Sequence, residues 1–242
     1  MSAIELEDIY TAYEGGEKAV IKGISLTIDK GEYVVIGGPN SAGKTTLLES
    51  INGMVKVTHG NAHVCGLDVR RSGDEVRKKV GYVIQNFYFD PFTPFTVHQV
   101  VMMGRYGRLG LLKRPSAADH DMVNEAIRRM GIEDLAHKTI GTISGGQQQK
   151  TMIAHNLAKQ PEVMLLDEPF SNLDFQAREH MQDVFKDLAK NGMPVVIVSH
   201  AFDGLPDMTI RLVVMKEGKI DYDGECSAGE VKGIMRKRCA IT

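Results

Sequence analysis

Tyr33-Val34-Val35-Ile36-Gly37-Gly38-Pro39-Asn40-Ser41-Ala42-Gly43-Lys44-Thr45 runs from a short apolar stretch into a glycine-rich turn that closes on lysine and threonine. The apolar part has the length of a buried strand feeding a loop, and residues 45–54 read as a helix. Residues 38–45 fit Gly-x-x-x-x-Gly-Lys-Ser/Thr, with the strand before and the helix behind that the pattern requires. Its glycines let main-chain N–H groups turn inward around phosphates, and the helix points its positive end at the same anion. Lys44 can reach the β- and γ-phosphates, and the Thr45 hydroxyl can ligate Mg2+. The competing reading is a glycine turn that happens to precede Lys-Thr. The strand context disfavours it, although alone the pattern says only that a nucleoside triphosphate is bound.

Outward from this loop the chain alternates. Residues 4–10 and 19–28 read as strands joined by the Glu14-Gly15-Gly16 turn. Further strands are expected at 80–84, 163–166, 195–198 and 212–216, with helical patterns between several of them. That alternation predicts an α/β fold with a mostly parallel core sheet, preceded by an N-terminal antiparallel β-subdomain. Residues 86–159 differ: 97–104, 117–130 and 147–159 have helical spacing, and no strong strand interrupts them. We expect an inserted α-helical subdomain there, with Ser116 capping its middle helix. Residues 1–85 and 160–242 form the core of one domain spanning 1–242, and 201–242 have room for two strands and a final helix.

Two more motifs carry chemistry. Val163-Met164-Leu165-Leu166-Asp167-Glu168 is an apolar strand ending in two carboxylates. Ligand sites of parallel sheets lie beyond the carboxyl ends of strands. Asp167 is therefore expected at Mg2+, and Glu168 as the base for an attacking water. The plainer reading is an acidic turn closing a strand. Ser144-Gly145-Gly146-Gln147 opens a helix, so a serine cap and two glycines make a second anion-seeking helix end.

In this order the motifs resemble those of the ATP-binding subunit of an ABC transporter, over residues 4–223. Ser144–Gln147 is similar to the family's signature, Gln85 to its Q-loop, Ser171-Asn172-Leu173-Asp174 to its D-loop and His200 to its switch histidine. The resemblance implies a P-loop NTPase core that binds ATP and Mg2+. Tyr13 would stack on adenine, with Tyr10 as a rival, while Gly38, Pro39, Asn40, Ser41, Ala42, Gly43, Lys44, Thr45 and Thr46 hold the phosphates. Gln85 would join Thr45 and Asp167 at Mg2+, and His200 and Lys44 would assist Glu168. Ser144, Gly145, Gly146 and Gln147 would meet ATP held by a second copy in an ATP-dependent head-to-tail homodimer, with Asp174 coupling the two sites. Three positions depart from the family pattern. Ser41 stands where glycine is common, which costs on the order of 1 kcal/mol if φ is positive. Lys150 and His155 stand where arginines are frequent, and lysine lacks the planar fork for bidentate pairing.

Residues 101–110, Val-Met-Met-Gly-Arg-Tyr-Gly-Arg-Leu-Gly, continuing to Lys113-Arg114-Pro115, are similar to ATPase subunits of manganese/zinc-type importers. Siderophore and cobalamin importers share Met-Gly-Arg-Tyr. The family then implies a separate transmembrane permease, an extracytoplasmic substrate-binding protein acting indirectly, and a place on the cytoplasmic face of the membrane. Phe87, Tyr88, Phe89, Phe92 and Phe95 crowd after Gln85, either as a permease-docking surface or as a local core. The main rival is a non-transport ABC ATPase, for instance of the iron–sulfur assembly type. A kinase or GTPase would leave Ser144–Gln147 and His200 unexplained.

Composition agrees with these expectations. The chain has 242 residues, 43% hydrophobic and 25% charged, with a formal net charge of −2, which gives no case for nucleic-acid binding. Cys65, Cys226 and Cys239 show no Cys-x-x-Cys spacing, as suits a reducing compartment. No apolar run approaches the ~18 residues of a membrane span, and the N-terminal residues have no signal-peptide pattern. His63 and Cys65 are expected to share one face of a strand, with His59 beyond a turn, but three such residues without a fourth ligand make a poor zinc site.

Overall fold

The computed structural model describes residues 2–12, 19–85, 89–110, 113–171, 173–200, 202 and 205–239. Tyr13 and the 14–16 turn lie outside them, as do Phe87, Tyr88 and Asn172. Two sheets carry the fold. The first is antiparallel: β1 (Ser2–Thr11), β2 (Ile21–Asp29), β4 (Val57–Val64) and β5 (Leu67–Asp68), in the order β2-β1-β4-β5. The second has six strands, β10-β9-β3-β8-β7-β6, formed by β3 (Tyr33–Gly37), β6 (Val80–Val83), β7 (Val163–Asp167), β8 (Val195–Val198), β9 (Thr209–Lys216) and β10 (Lys219–Ser227). All its pairs are parallel except β9 with β10.

Every residue of β3, β7 and β8 is buried, because the sheet is covered on both faces. Alternation along β3 sorts its side chains between two cores. Val34 and Ile36 join the core shared with the antiparallel sheet and helix α1 (Lys44–Ile51). Tyr33 and Val35 join the core shared with α3 (Val97–Leu109), α4 (Ala117–Arg129), α5 (Gly145–Ala158) and α6 (Phe175–Lys190). Each fully buried valine, leucine or isoleucine is worth about 1.5–3 kcal/mol relative to exposure.

Helices α3, α4 and α5 lie between β6 and β7 in the chain, and only an isolated bridge, Thr96 to Thr139, occurs among the described residues there. Local sequence starts each of them. Thr96, Ser116 and Ser144 are N-caps in capping boxes closed by Gln99, Asp119 and Gln147, each cap worth about 1 kcal/mol. A buried ion pair ties the three helices. The Arg105 guanidinium donates to Asp119 Oδ1 at 2.9 Å and to the Ala158 carbonyl at 2.9 Å.

The structure corrects one detail. Cys65 is not on a strand with His63: β4 ends at Val64, and Cys65 turns away at φ 50° before Gly66. Among the described residues no group of three His, Cys, Asp or Glu is arranged to hold a metal. Two elements were also not foreseen, β5 and α2 (Val69–Lys79). The C-terminal part does hold β9, β10 and a final helix α7 (Ala228–Cys239).

Candidate functional site

Sheet order builds the site. β8 lies between β3 and β7, with Ile36 and Asp167 both in register with Val198. The loop after β3, the carboxylates at the end of β7 and the residues after β8 therefore emerge side by side at one edge.

The loop is held by close main-chain approach. Gly38 has φ 141°, and a Cβ there would lie 2.2 Å from the Met215 carbonyl oxygen of β9, so no side chain fits. Ala42 N–H donates to Pro39 O at 3.2 Å, and Ala42 O accepts from Gly218 N–H at 3.0 Å in the β9–β10 turn. Gly43, the residue before α1, is left-handed at φ 96° and gives the helix no side-chain cap. Main-chain N–H groups at this helix end are thus available to an anion. Ser41 does take a positive φ of 65°, and its hydroxyl donates to the Asn40 carbonyl.

Lys44 folds back over the loop, Nζ donating to the carbonyls of Gly38 at 3.0 Å and Pro39 at 2.9 Å. Burial lowers its pKa, while the Glu168 and Asp167 charges oppose that shift. The Thr45 hydroxyl donates to Asp167 Oδ2 at 2.7 Å across 122 residues of sequence. Asp167 is buried, which pushes its carboxyl up against the Thr45 hydrogen bond and the Lys44 charge.

Glu168 leaves the strand direction at φ 50°, a conformation a non-glycine residue adopts at some cost. Its N–H donates to Val198 O at 3.0 Å, and its carbonyl accepts from the Ser171 hydroxyl at 3.1 Å. The side chain is buried, and Oε1 has no hydrogen-bond partner among the described residues; His200 Nε2 stands 3.4 Å from it, off hydrogen-bonding direction. Burial raises the Glu168 pKa, opposed by a hydrogen bond from the His200 main chain. Burial, followed by the Lys44 charge, lowers that of His200. The pair therefore favours a neutral imidazole beside a carboxyl of raised proton affinity, as suits proton abstraction near neutral pH.

Oxygen donors at Thr45 and Asp167 suit a hard cation such as Mg2+, and the uncapped helix end and Lys44 suit phosphate. The residues fit both groups. Not every expected residue joins them. Gln85 is exposed beyond the end of β6, and no bond described connects it to Thr45 or Asp167. Ser144 and Gly145 are exposed at the start of α5, where Ser144 Oγ accepts from Gln147 N–H at 3.3 Å and Gln147 Oε1 from Ser144 N–H at 3.0 Å. Asp174 caps α6, accepting from Ala177 N–H at 2.8 Å. Gly37 and Ser199 were not anticipated. Ser199 is buried and its N–H donates to Ile36 O at 3.2 Å, tying the end of β8 to β3; the doubled glycine at 37–38 was the available signal for the first.

The family profile described as ABC transporter matches residues 21–171. The manganese transport system ATP-binding protein MntB of Bacillus subtilis (strain 168) is 34% identical over 222 residues, 92% of this chain and 86% of that protein. The glutamine transport ATP-binding protein GlnQ of the same organism is 38% identical over 208 residues, 85% and 84% of the two chains. A dimeric post-hydrolysis structure of an ATP-binding cassette bound to ADP and Pi matches with a TM-score of 0.78 at 26% identity, over 92% of this chain and 98% of that one.

Proposed function

We propose, from the premise that this chain belongs to the ABC transporter family as an ATP-hydrolysing subunit, that it drives import of a divalent metal ion of the manganese or zinc type through a separate permease. The observation that carries the catalytic part is the convergence of Thr45, Asp167 and the buried Glu168 carboxyl, whose Oε1 has no partner among the described residues, beside Lys44. Similarity to MntB over 92% of the chain supports the metal, together with the importer-like residues 101–115. GlnQ has higher identity over a shorter span, which makes glutamine uptake the matching control.

The chemistry follows from the side chains. Loop amides and the α1 N-terminus receive the phosphates of ATP, and Lys44 exchanges the Gly38 and Pro39 carbonyls for β- and γ-phosphate oxygens. Thr45 and Asp167, with Gln85 moving in, are the residues that would hold Mg2+, which supplies charge neutralisation between the phosphates when bound. Water attacks the γ-phosphorus, the bond to the bridging oxygen breaks, and Glu168 takes the proton while His200 steadies the water and γ-phosphate. ADP and phosphate leave. Ser144 and Gly146 complete the site of a second copy in a head-to-tail dimer, with Asp174 at the junction and Tyr13 against adenine. A substrate-binding protein on the far side delivers the ion.

The test is Glu168→Gln. The purified full chain should bind ATP, gather into ATP-dependent dimers and hydrolyse about 10²–10⁴-fold more slowly; near-normal hydrolysis removes Glu168 from its role. Cells carrying only that variant should lose saturable Mn2+ or Zn2+ uptake and keep glutamine uptake. Unchanged metal uptake overturns the cargo assignment.

A further inference from the structure

Three segments distant in sequence meet at the entrance to the phosphate loop. Gly37 ends β3, and the space its side chain would take is filled from elsewhere. A Cβ there would lie 2.6 Å from Met235 Sδ, 2.7 Å from Met235 Cε and 3.3 Å from Phe202 Cζ. Met235 belongs to α7, and Phe202 stands two residues beyond His200. Both side chains pack, partly buried, on the core that covers this face of the sheet. A hollow of about 430 Å³ lies beside them, lined by Phe202, Lys232, Met235, Arg236 and Cys239.

His200 is anchored on both sides of its position. Upstream, Ser199 N–H holds the chain to Ile36 of β3. Downstream, the described anchor is the Phe202 ring, wedged with the Met235 thioether onto Gly37. A flexible, polarisable methionine suits such an irregular gap. We propose that Met235 and Phe202 are positioning residues for His200. Through them the C-terminal helix sets how high the histidine stands over the phosphate loop, and so its contact with Glu168. Cys239, at the end of α7, packs partly buried on the same core. The inference rests on the reading of His200 as a group acting at the γ-phosphate.

A displacement of about 1 Å at a reacting group can cost on the order of 10²-fold in rate, so partial relaxation should be readable. In the full chain with ATP and Mg2+, Met235→Ala should lower kcat about tenfold and leave KM for ATP within about twofold, because the loop amides stay in place. Met235→Leu, which refills most of the volume, should restore turnover, and Phe202→Leu should repeat the split. Should Met235→Ala fail to fold, Phe202→Leu decides. His200→Ala is measured alongside. If it leaves kcat unaltered, the role of His200 fails and the inference with it. If His200→Ala slows turnover while Met235→Ala and Phe202→Leu do not, the positioning role alone is overturned. The same holds if their kcat losses merely track lost thermal stability without rescue by leucine.

Discussion

At the scale of single residues, Ser41 shows how two small terms decide an outcome. A non-glycine residue at φ 65° carries a cost of about 1 kcal/mol or more, which invites Ser41→Gly as a stabilising change. Glycine, however, loses more backbone entropy on folding, by roughly 0.5–1 kcal/mol, and would forfeit the hydroxyl's bond to Asn40. The terms nearly cancel. Ser41→Gly should therefore shift unfolding free energy by less than about 0.5 kcal/mol in a urea titration, and a gain beyond about 1 kcal/mol would show that the loop is strained after all. Lys44, Thr45, Asp167 and Glu168 were legible in the sequence because each directly follows the strand or loop that aims it. Gln85, Ser144 and Asp174 were equally visible as motifs, yet no bond among the described residues gathers them at the phosphate loop, since two lie at helix caps and one beyond an edge strand. The wedge of Phe202 and Met235 on Gly37 had no signal, because contacts across about 200 residues of sequence leave no local pattern.

At the scale of elements, α3 and α5 cross where a side chain is missing. A Cβ on Gly104 would lie 2.1 Å from the His155 carbonyl oxygen, and His155 Nδ1–H donates to Val100 O at 2.9 Å across the same crossing. His155 thus serves as a packing residue, with burial lowering its pKa against the opposing Val100 hydrogen bond. Gly104→Ala should push the helices apart and cost about 1–3 kcal/mol, read as a lower denaturation midpoint. An unchanged midpoint would mean that the crossing is looser than described. Gly104 and Arg105 of the importer-like stretch therefore build the interior of the helical region, and any contact with a permease falls to exposed neighbours such as Tyr106. Elements with caps were readable in advance: Ser116 and Ser144 begin helices as their hydroxyls predict. Helix α2 was not, because it breaks at Ser72 (φ −130°) beside Gly73 and so loses its apolar period. The two-residue β5 is too short to leave one.

At the scale of the whole molecule, four of the six exposed large apolar residues among those described, Ile84, Phe92 (91% exposed), Phe95 and Tyr106, lie in the segment around Gln85 and in α3, while Met54 follows α1 and Phe175 opens α6. Phe89 instead packs partly against the core, so the described members of the expected aromatic cluster divide between surface and interior. No helix among the described residues is long and apolar enough to cross a membrane. The chain should sediment with membranes when co-produced with its permease and stay in the supernatant without it; sedimentation regardless of the permease would speak for another anchor. One detail at the start of α5 bears on how two copies would part if Ser144 meets the partner's nucleotide as proposed. The Ser144 oxygen is used as an acceptor inside its own chain, yet the hydroxyl hydrogen remains free to point outward. An incoming anion can be greeted by that hydrogen without unwinding the helix end, and its departure leaves nothing to rebuild. On the proposed role of Ser144, such a contact could form and break once per turnover with the helix cap intact.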